Sequence, residues 1–156
     1  MTTRIILLFT LLAYSIIVSQ SFIYILALKH VQLNLDANAY IELRKLIDAS
    51  MRANFKYVIY AALLSNLALV IFTIKHPGSL LFISASVALV ALIVDVLLTV
   101  KGNLPINDVI NTWSSNSYPT NWEEYRTKWL YFFQYRQIAS ITGFISLLIG
   151  ALFGSK

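Results

Sequence analysis

The chain has 156 residues, 58% of them hydrophobic and only 12% charged, with a mean hydropathy of +0.72; a water-soluble domain carries roughly twice that share of charge. This composition excludes an ordinary soluble globule, and the length suits a single membrane domain of a few spans of ~20 residues each. The absence of cysteine excludes a disulfide framework, a thiolate metal site and a cysteine nucleophile, and in so apolar a chain a net charge of +5 serves orientation beside anionic headgroups rather than nucleic-acid binding.

Residues 5–28 form the first predicted span, preceded by Arg4 and followed by Lys29 and His30. Ser19-Gln20-Ser21 imitates a signal-peptide cleavage site, but the apolar run continues through Phe22-Ile23-Tyr24-Ile25-Leu26, so the segment reads as an uncleaved span. Residues 37–51 place Tyr40, Leu43, Ile47 and Met51 at spacings of three and four, which predicts a short amphipathic helix at the interface. Its charged set, Glu42, Arg44, Lys45, Asp48 and Arg52, covers much of the rest of its surface, which suits a helix lying at the interface or across the bundle mouth, or a solvated connecting helix.

The second span is predicted over 56–74. Lys75-His76-Pro77-Gly78 then makes a tight turn, because proline lacks an amide donor and glycine tolerates unusual dihedrals. The third span, 79–100, follows at once as the other arm of an antiparallel hairpin. Residues 101–121, with Gly102, Pro105, Pro119 and Ser114-Ser115-Asn116-Ser117, read as a loop. Thr120 and Glu123 offer a capping box for a helix starting near residue 121. That helix continues to about 153, with its membrane part over 129–153, and its first two turns project beyond a ~30 Å hydrocarbon core. The expected fold is an all-α bundle of four transmembrane helices with an interfacial helix between spans one and two.

Lys29, Arg44, Lys45, Arg52, Lys56, Lys101, Arg126 and Lys128 fall on the side of loops one and three, against Arg4, Lys75 and Lys156 on the other. By the positive-inside rule, loops one and three face the cytoplasm and both termini face away from it.

Ionisable groups within a bilayer cost about 2.5 to 3.5 kcal/mol each on insertion scales, so they are functional candidates by default. Asp95 and Arg136 lie at similar depth near the loop-three end, where an ion pair would neutralise both. Gln20 and Asn66 fall in the same half of the bundle, as helix-to-helix hydrogen bonds or as part of a polar pocket. On the last helix, Trp122, Arg126, Trp129, Phe133 and Arg136 recur at spacings of four and three and share one face. Such a stripe can hold a planar or anionic ligand by stacking and bidentate hydrogen bonds, or can form an interfacial belt. In the third loop, Asn103 and Asn107 flank Pro105, and their amides can bond backbone or a ligand oxygen. His30 and His76 fall at opposite membrane faces and cannot share a metal, so no metal site is expected. Gly143, Gly150 and Gly154 make a small-residue face that packs internally or against a second copy.

Asn103-x-Pro105-Ile106-Asn107 after span three, then Trp122-x-x-x-Arg126-x-x-Trp129 and Arg136 entering span four, resemble the anthrone-oxygenase-like family of small four-span membrane proteins. The four-span layout extends the likeness over most of the chain, while the specific residues lie in its second half. The resemblance implies a helical bundle and, as in a few members, cofactor-independent oxidation of polyphenolic anthrones to anthraquinones. Members often carry histidine between the second tryptophan and the final arginine, where this chain reads Leu130-Tyr131-Phe132-Phe133-Gln134-Tyr135. A base would therefore have to be Asp95, a tyrosine or the substrate itself.

The combined expectation is a pocket near the cytoplasmic face for a small planar or anionic organic molecule. In it Arg126, Arg136 and Asp95 would do the chemistry, Gln20, Asn66, Asn103 and Asn107 would hold oxygens, Trp122 and Trp129 would stack, and no cofactor would be needed. The competing expectation is a non-enzymatic subunit or solute-carrier component in which Asp95 and Arg136 only hold helices together.

Overall fold

The computed structural model describes residues 1–154. It is all-α, and four of its helices are long and apolar enough to cross a membrane: α1 (Thr2–Asn34), α2 (Ala37–Thr73), α3 (Leu80–Asn111) and α4 (Trp122–Phe153). They form an up-down-up-down bundle in which α1 packs on α2 and α4, and α3 on α2 and α4. The large apolar side chains left exposed, such as Leu8, Leu64, Val90 and Leu152, are the lipid-facing surface expected of a membrane bundle.

Local chemistry explains the element ends. Asp36 caps α2 by accepting from the Ala39 amide at 2.9 Å, and Ser79 caps α3 by accepting from Phe82 at 3.2 Å. Between α2 and α3 the chain turns through His76-Pro77-Gly78, held by the Ser79 amide on the His76 carbonyl at 2.9 Å. The last helix starts at Trp122, where the sequence places it, without the predicted capping box. The side chain of its N-cap residue, Asn121, donates to Glu124 at 3.0 Å, and the Glu123 carboxylate accepts from Arg126 at 3.1 Å instead of turning back to Thr120.

Two boundaries differ from expectation. The amphipathic stretch 37–51 is the first part of α2, continuous with the second span, because no proline or glycine interrupts residues 37–74. The predicted loop from Lys101 is helical to Asn111, and only residues 112–121 connect α3 to α4. Pro105 would ordinarily break such a helix, since its ring collides with the carbonyl four residues back. A wide π turn over Thr99–Asn103 changes the hydrogen-bond register just before it and lets α3 continue. A second π turn, Tyr24–Leu28, interrupts α1 at the same end of the bundle.

The small-residue face of α4 is used inside the chain. A Cβ on Gly143 would run into the Tyr14 hydroxyl of α1, and one on Gly150 would lie 2.7 Å from Ser84 Cβ of α3. Glycine at these positions lets the backbones approach, bringing Ser146 Oγ to 3.1 Å from the Ser84 carbonyl. Loops one and three lie together at one end of the bundle, with Lys75 at the other. Lys156, counted on the far side in the charge comparison, lies outside the described residues.

Candidate functional site

The loop-one and loop-three end of the bundle holds a buried polar network, built from one face of each helix. On α4 the predicted stripe points inward: Arg126, Trp129, Phe133 and Arg136 are all buried. Arg136, 8% exposed, meets Asp95 of α3, 2% exposed, through Nε and Oδ1 at 2.7 Å. Its Nη1 donates to Asn103 Oδ1 at 3.3 Å, and Asn103 Nδ2 donates to the Trp129 carbonyl at 2.9 Å. The depth that marks Asp95 and Arg136 in the sequence thus brings them together, with Asn103 as a third member. Arg136 Nη2 has no partner among the described residues.

A second layer was not read from the sequence. Arg44, read in the sequence only as one charge of the amphipathic helix, is buried. Its Nη2 donates to Asn107 Oδ1 at 2.9 Å, its Nη1 to the Tyr24 hydroxyl at 3.2 Å, and its guanidinium lies 3.9 Å from the Trp129 ring centroid. One turn on, the buried Asp48 carboxylate accepts from Asn107 at 2.7 Å, Asn111 at 2.8 Å and Arg52 Nε at 2.8 Å. Arg52 also reaches Asp108 of α3 at 2.7 Å. The sequence signal is the run Tyr40, Arg44, Asp48, Arg52 at a strict spacing of four. It marks one polar face of α2, which in the structure turns Tyr40, Arg44 and Asp48 inward and leaves Arg52 exposed at the rim.

Above this network an aromatic cap closes the aqueous end. Tyr40, Trp113, Trp122 and Tyr125 pack with Ile41 and Ile110, Trp113 lying edge-on to Tyr125 at 5.1 Å, and Lys45 donates to the Trp113 carbonyl. Arg126 and Trp122 belong to this cap. Arg126 faces inward, but its Nη1 donates to the Gln32 and Leu35 carbonyls at 3.1 Å each. Those carbonyls lie at the end of α1, where helix geometry leaves acceptors free. Trp122 stacks on the Arg126 guanidinium, 4.6 Å from centroid to Cζ.

Below the cap lies a cavity of about 470 Å³ bounded by all four helices. Its polar end is formed by Gln20, Arg44, Asn103, Asn107 and Arg136, and its apolar wall by Met51, Phe55, Ile59, Val96, Val100 and Leu104. Both π turns contribute to it, through Tyr24 and through Thr99, Val100 and Asn103. Trp129 lines it too, but its ring is already engaged by Arg44 and by Phe133, stacked at 5.0 Å. Asn66 is fully buried away from it, with its amide placed to donate to the Ala85 carbonyl at 3.1 Å and accept from the Leu89 amide at 3.0 Å. Of the residues singled out in the sequence, Gln20, Asn103, Asn107, Trp129 and Arg136 line the cavity. Asp95 stands behind Arg136, while Arg126, Trp122 and Asn66 hold helices and connections in place.

The charges are nearly balanced. Four cations, Arg44, Arg52, Lys56 and Arg136, line the cavity; Asp48 and Asp108 both pair with Arg52, and Asp95 pairs with Arg136. Among the described residues neither Arg44, held by Asn107 and Tyr24, nor Lys56, at the rim, has a carboxylate partner. A multi-pass membrane protein built as a four-helix bundle is the class of protein defined by this arrangement. No family model, curated protein or solved structure matches the chain.

Proposed function

We propose that the protein binds a small planar or anionic organic molecule in this cavity, at the end of the bundle that faces the cytoplasm by the excess of Lys and Arg there. The observation that carries the reading is Arg136. A guanidinium within a bilayer bundle is costly, and a structural ion pair needs no further donor once Asp95 and Asn103 are engaged. Among the described residues Arg136 nevertheless keeps Nη2 without a partner beside a cavity that is also lined by Gln20, whose amide has no hydrogen-bond partner among them either. The resemblance to the anthrone-oxygenase-like family carries the proposal to cofactor-independent oxidation. In that case the substrate enters as its own enolate or phenolate, Arg136 stabilises that anion, and dioxygen is the oxidant, one of its atoms becoming the new carbonyl oxygen and the other leaving as water; Asp95, turned to Arg136, is not available as the base.

The test is binding of naphthoate, a planar anion, to the protein in phosphatidylcholine nanodiscs, read by naphthoate anisotropy. Saturable binding is expected, weakened at least about tenfold, or 1.4 kcal/mol, in the Asp95→Asn/Arg136→Gln double variant. Arg126→Lys leaves the affinity unchanged, since Arg126 serves the cap. Absence of saturable binding to the unaltered protein favours the alternative, a non-enzymatic membrane subunit. The Asp95 pairing and the engagement of Arg126 with backbone carbonyls speak for that alternative.

A further inference from the structure

Access to the cavity is decided by what closes each of its sides. Toward water it is shut twice, by the aromatic cap and beneath it by the Asp48 cluster, in which Asn107, Asn111 and Arg52 all donate to one carboxylate. The Arg52 to Asp108 pair at 2.7 Å extends that closure across the outer end of the α2/α3 seam. Toward the far end the bundle is filled by Leu69, Ala85, Ala88 and Leu92, all fully buried. The seam between α2 and α3 just inside the Arg52 pair is different. The cavity-lining residues there reach the outer surface: Lys56 is exposed, Tyr60 is 57% exposed and Val100 48%.

The depth of that opening follows from the helix. Tyr57 to Thr73 spans about 26 Å at 1.5 Å per residue, close to the ~30 Å of a hydrocarbon core. On that count Lys56 stands at headgroup level and Tyr60 one turn into the acyl region, while Val100, next to Lys101, lies at the edge of the core on α3. The opening faces lipid, with a cation at its polar edge and apolar side chains below.

From this geometry we infer that the cavity is loaded sideways from the bilayer, through the α2/α3 seam between Lys56 and Val100, and that its ligand is a single-chain anionic amphiphile. The acidic group meets Arg136 Nη2 and the Gln20 amide after passing Lys56, and the chain lies on Met51, Phe55 and Ile59. The inference rests on the binding role proposed for the cavity and adds to it the ligand class and the route. It also accounts for Trp129: a ring already covered by Arg44 and Phe133 suits a wall for an acyl chain better than a platform for a planar one.

The chain has no cysteine, so Val100→Cys supplies a single thiol at the opening. In a Trp113→Phe/Trp122→Phe background, which leaves Trp129 as the only indole, dibromostearate in phosphatidylcholine nanodiscs is expected to quench Trp129 saturably. Gln20→Leu weakens the affinity read from that quenching at least about tenfold, as loss of a hydrogen bond to a charged group requires. Alkylating the introduced thiol with a bulky lipid-soluble maleimide abolishes it, and bound dibromostearate protects the thiol. Quenching that survives alkylation while remaining sensitive to Gln20→Leu overturns the lateral route. Naphthoate binding without saturable dibromostearate quenching overturns the ligand class and leaves the cavity's binding role standing. Failure of both probes overturns that role as well.

Discussion

Arg136 is held by geometry rather than by depth alone. Its Nε sits 2.7 Å from Asp95, both side chains are buried, and Asn103 supplies a second acceptor. Removing one partner of a buried pair leaves a bare charge, at about 3 to 5 kcal/mol, whereas neutralising both with hydrogen-bonding isosteres of similar size is far less costly. Arg136→Ala should therefore lower stability by about 3 to 5 kcal/mol, while Asp95→Asn combined with Arg136→Gln should regain most of that loss. Thermal unfolding in detergent measures both, and additive losses in the double variant would show that the two groups do not support each other. Arg126 illustrates the opposite outcome for a similar residue: two backbone carbonyls of the α1 end engage it, so its inward orientation serves the connection between α1 and α2.

At the level of elements, α2 and α3 are joined by their hairpin, by Asn66 midway, and by the Asp48 cluster at the other end. The cluster depends on α3 remaining helical past Pro105, because Asn107, Asp108 and Asn111 must present themselves at helical spacing to the 44-48-52 face of α2. The π turn before Pro105 makes that possible. Asp48→Ala should orphan the buried Asn107 amide and release the exposed Asn111, with a loss of about 1 to 3 kcal/mol. Faster amide hydrogen exchange in residues 104–111 should accompany it. Asp48→Asn, which keeps one acceptor, should lose less. Unchanged exchange in 104–111 would mean that α3 holds its end without α2.

For the whole molecule, the up-down-up-down order puts loops one and three at one end and the α2/α3 turn at the other. A cysteine replacing Asn116 and one replacing Lys75 should therefore react with membrane-impermeant maleimide from opposite sides of a vesicle, the Asn116 position from the cytoplasmic side. Labelling of both from the same side would contradict the four-span arrangement. The small-residue face of α4 is consumed in packing on α1 and α3, so close helix approach operates within one chain.

The sequence by itself determined the class, the four apolar segments, the turn at Pro77-Gly78 and the start of the last helix. These depend on hydropathy, turn chemistry and helical period, all one-dimensional properties of a chain in a bilayer. That one face of α4 gathers Trp122, Arg126, Trp129, Phe133 and Arg136, and that Asp95 and Arg136 share a depth, were legible for the same reason: depth and period place a residue without knowledge of its neighbours. Whether that face turned inward or formed an interfacial belt was not. Arg44 and Asp48 were not legible, because a charged i, i+4 pair on an amphipathic helix looks solvated until a second polar surface is brought against it, here Asn107 and Asn111. The continuation of α3 through Gly102 and Pro105 was hidden for a related reason, since residue propensities describe an α register and not the π turn that relieves the proline. Only the tertiary structure decided which polar groups were spent on one another and which were left facing a cavity. That division depends on how four helix faces meet, a property no single helix carries.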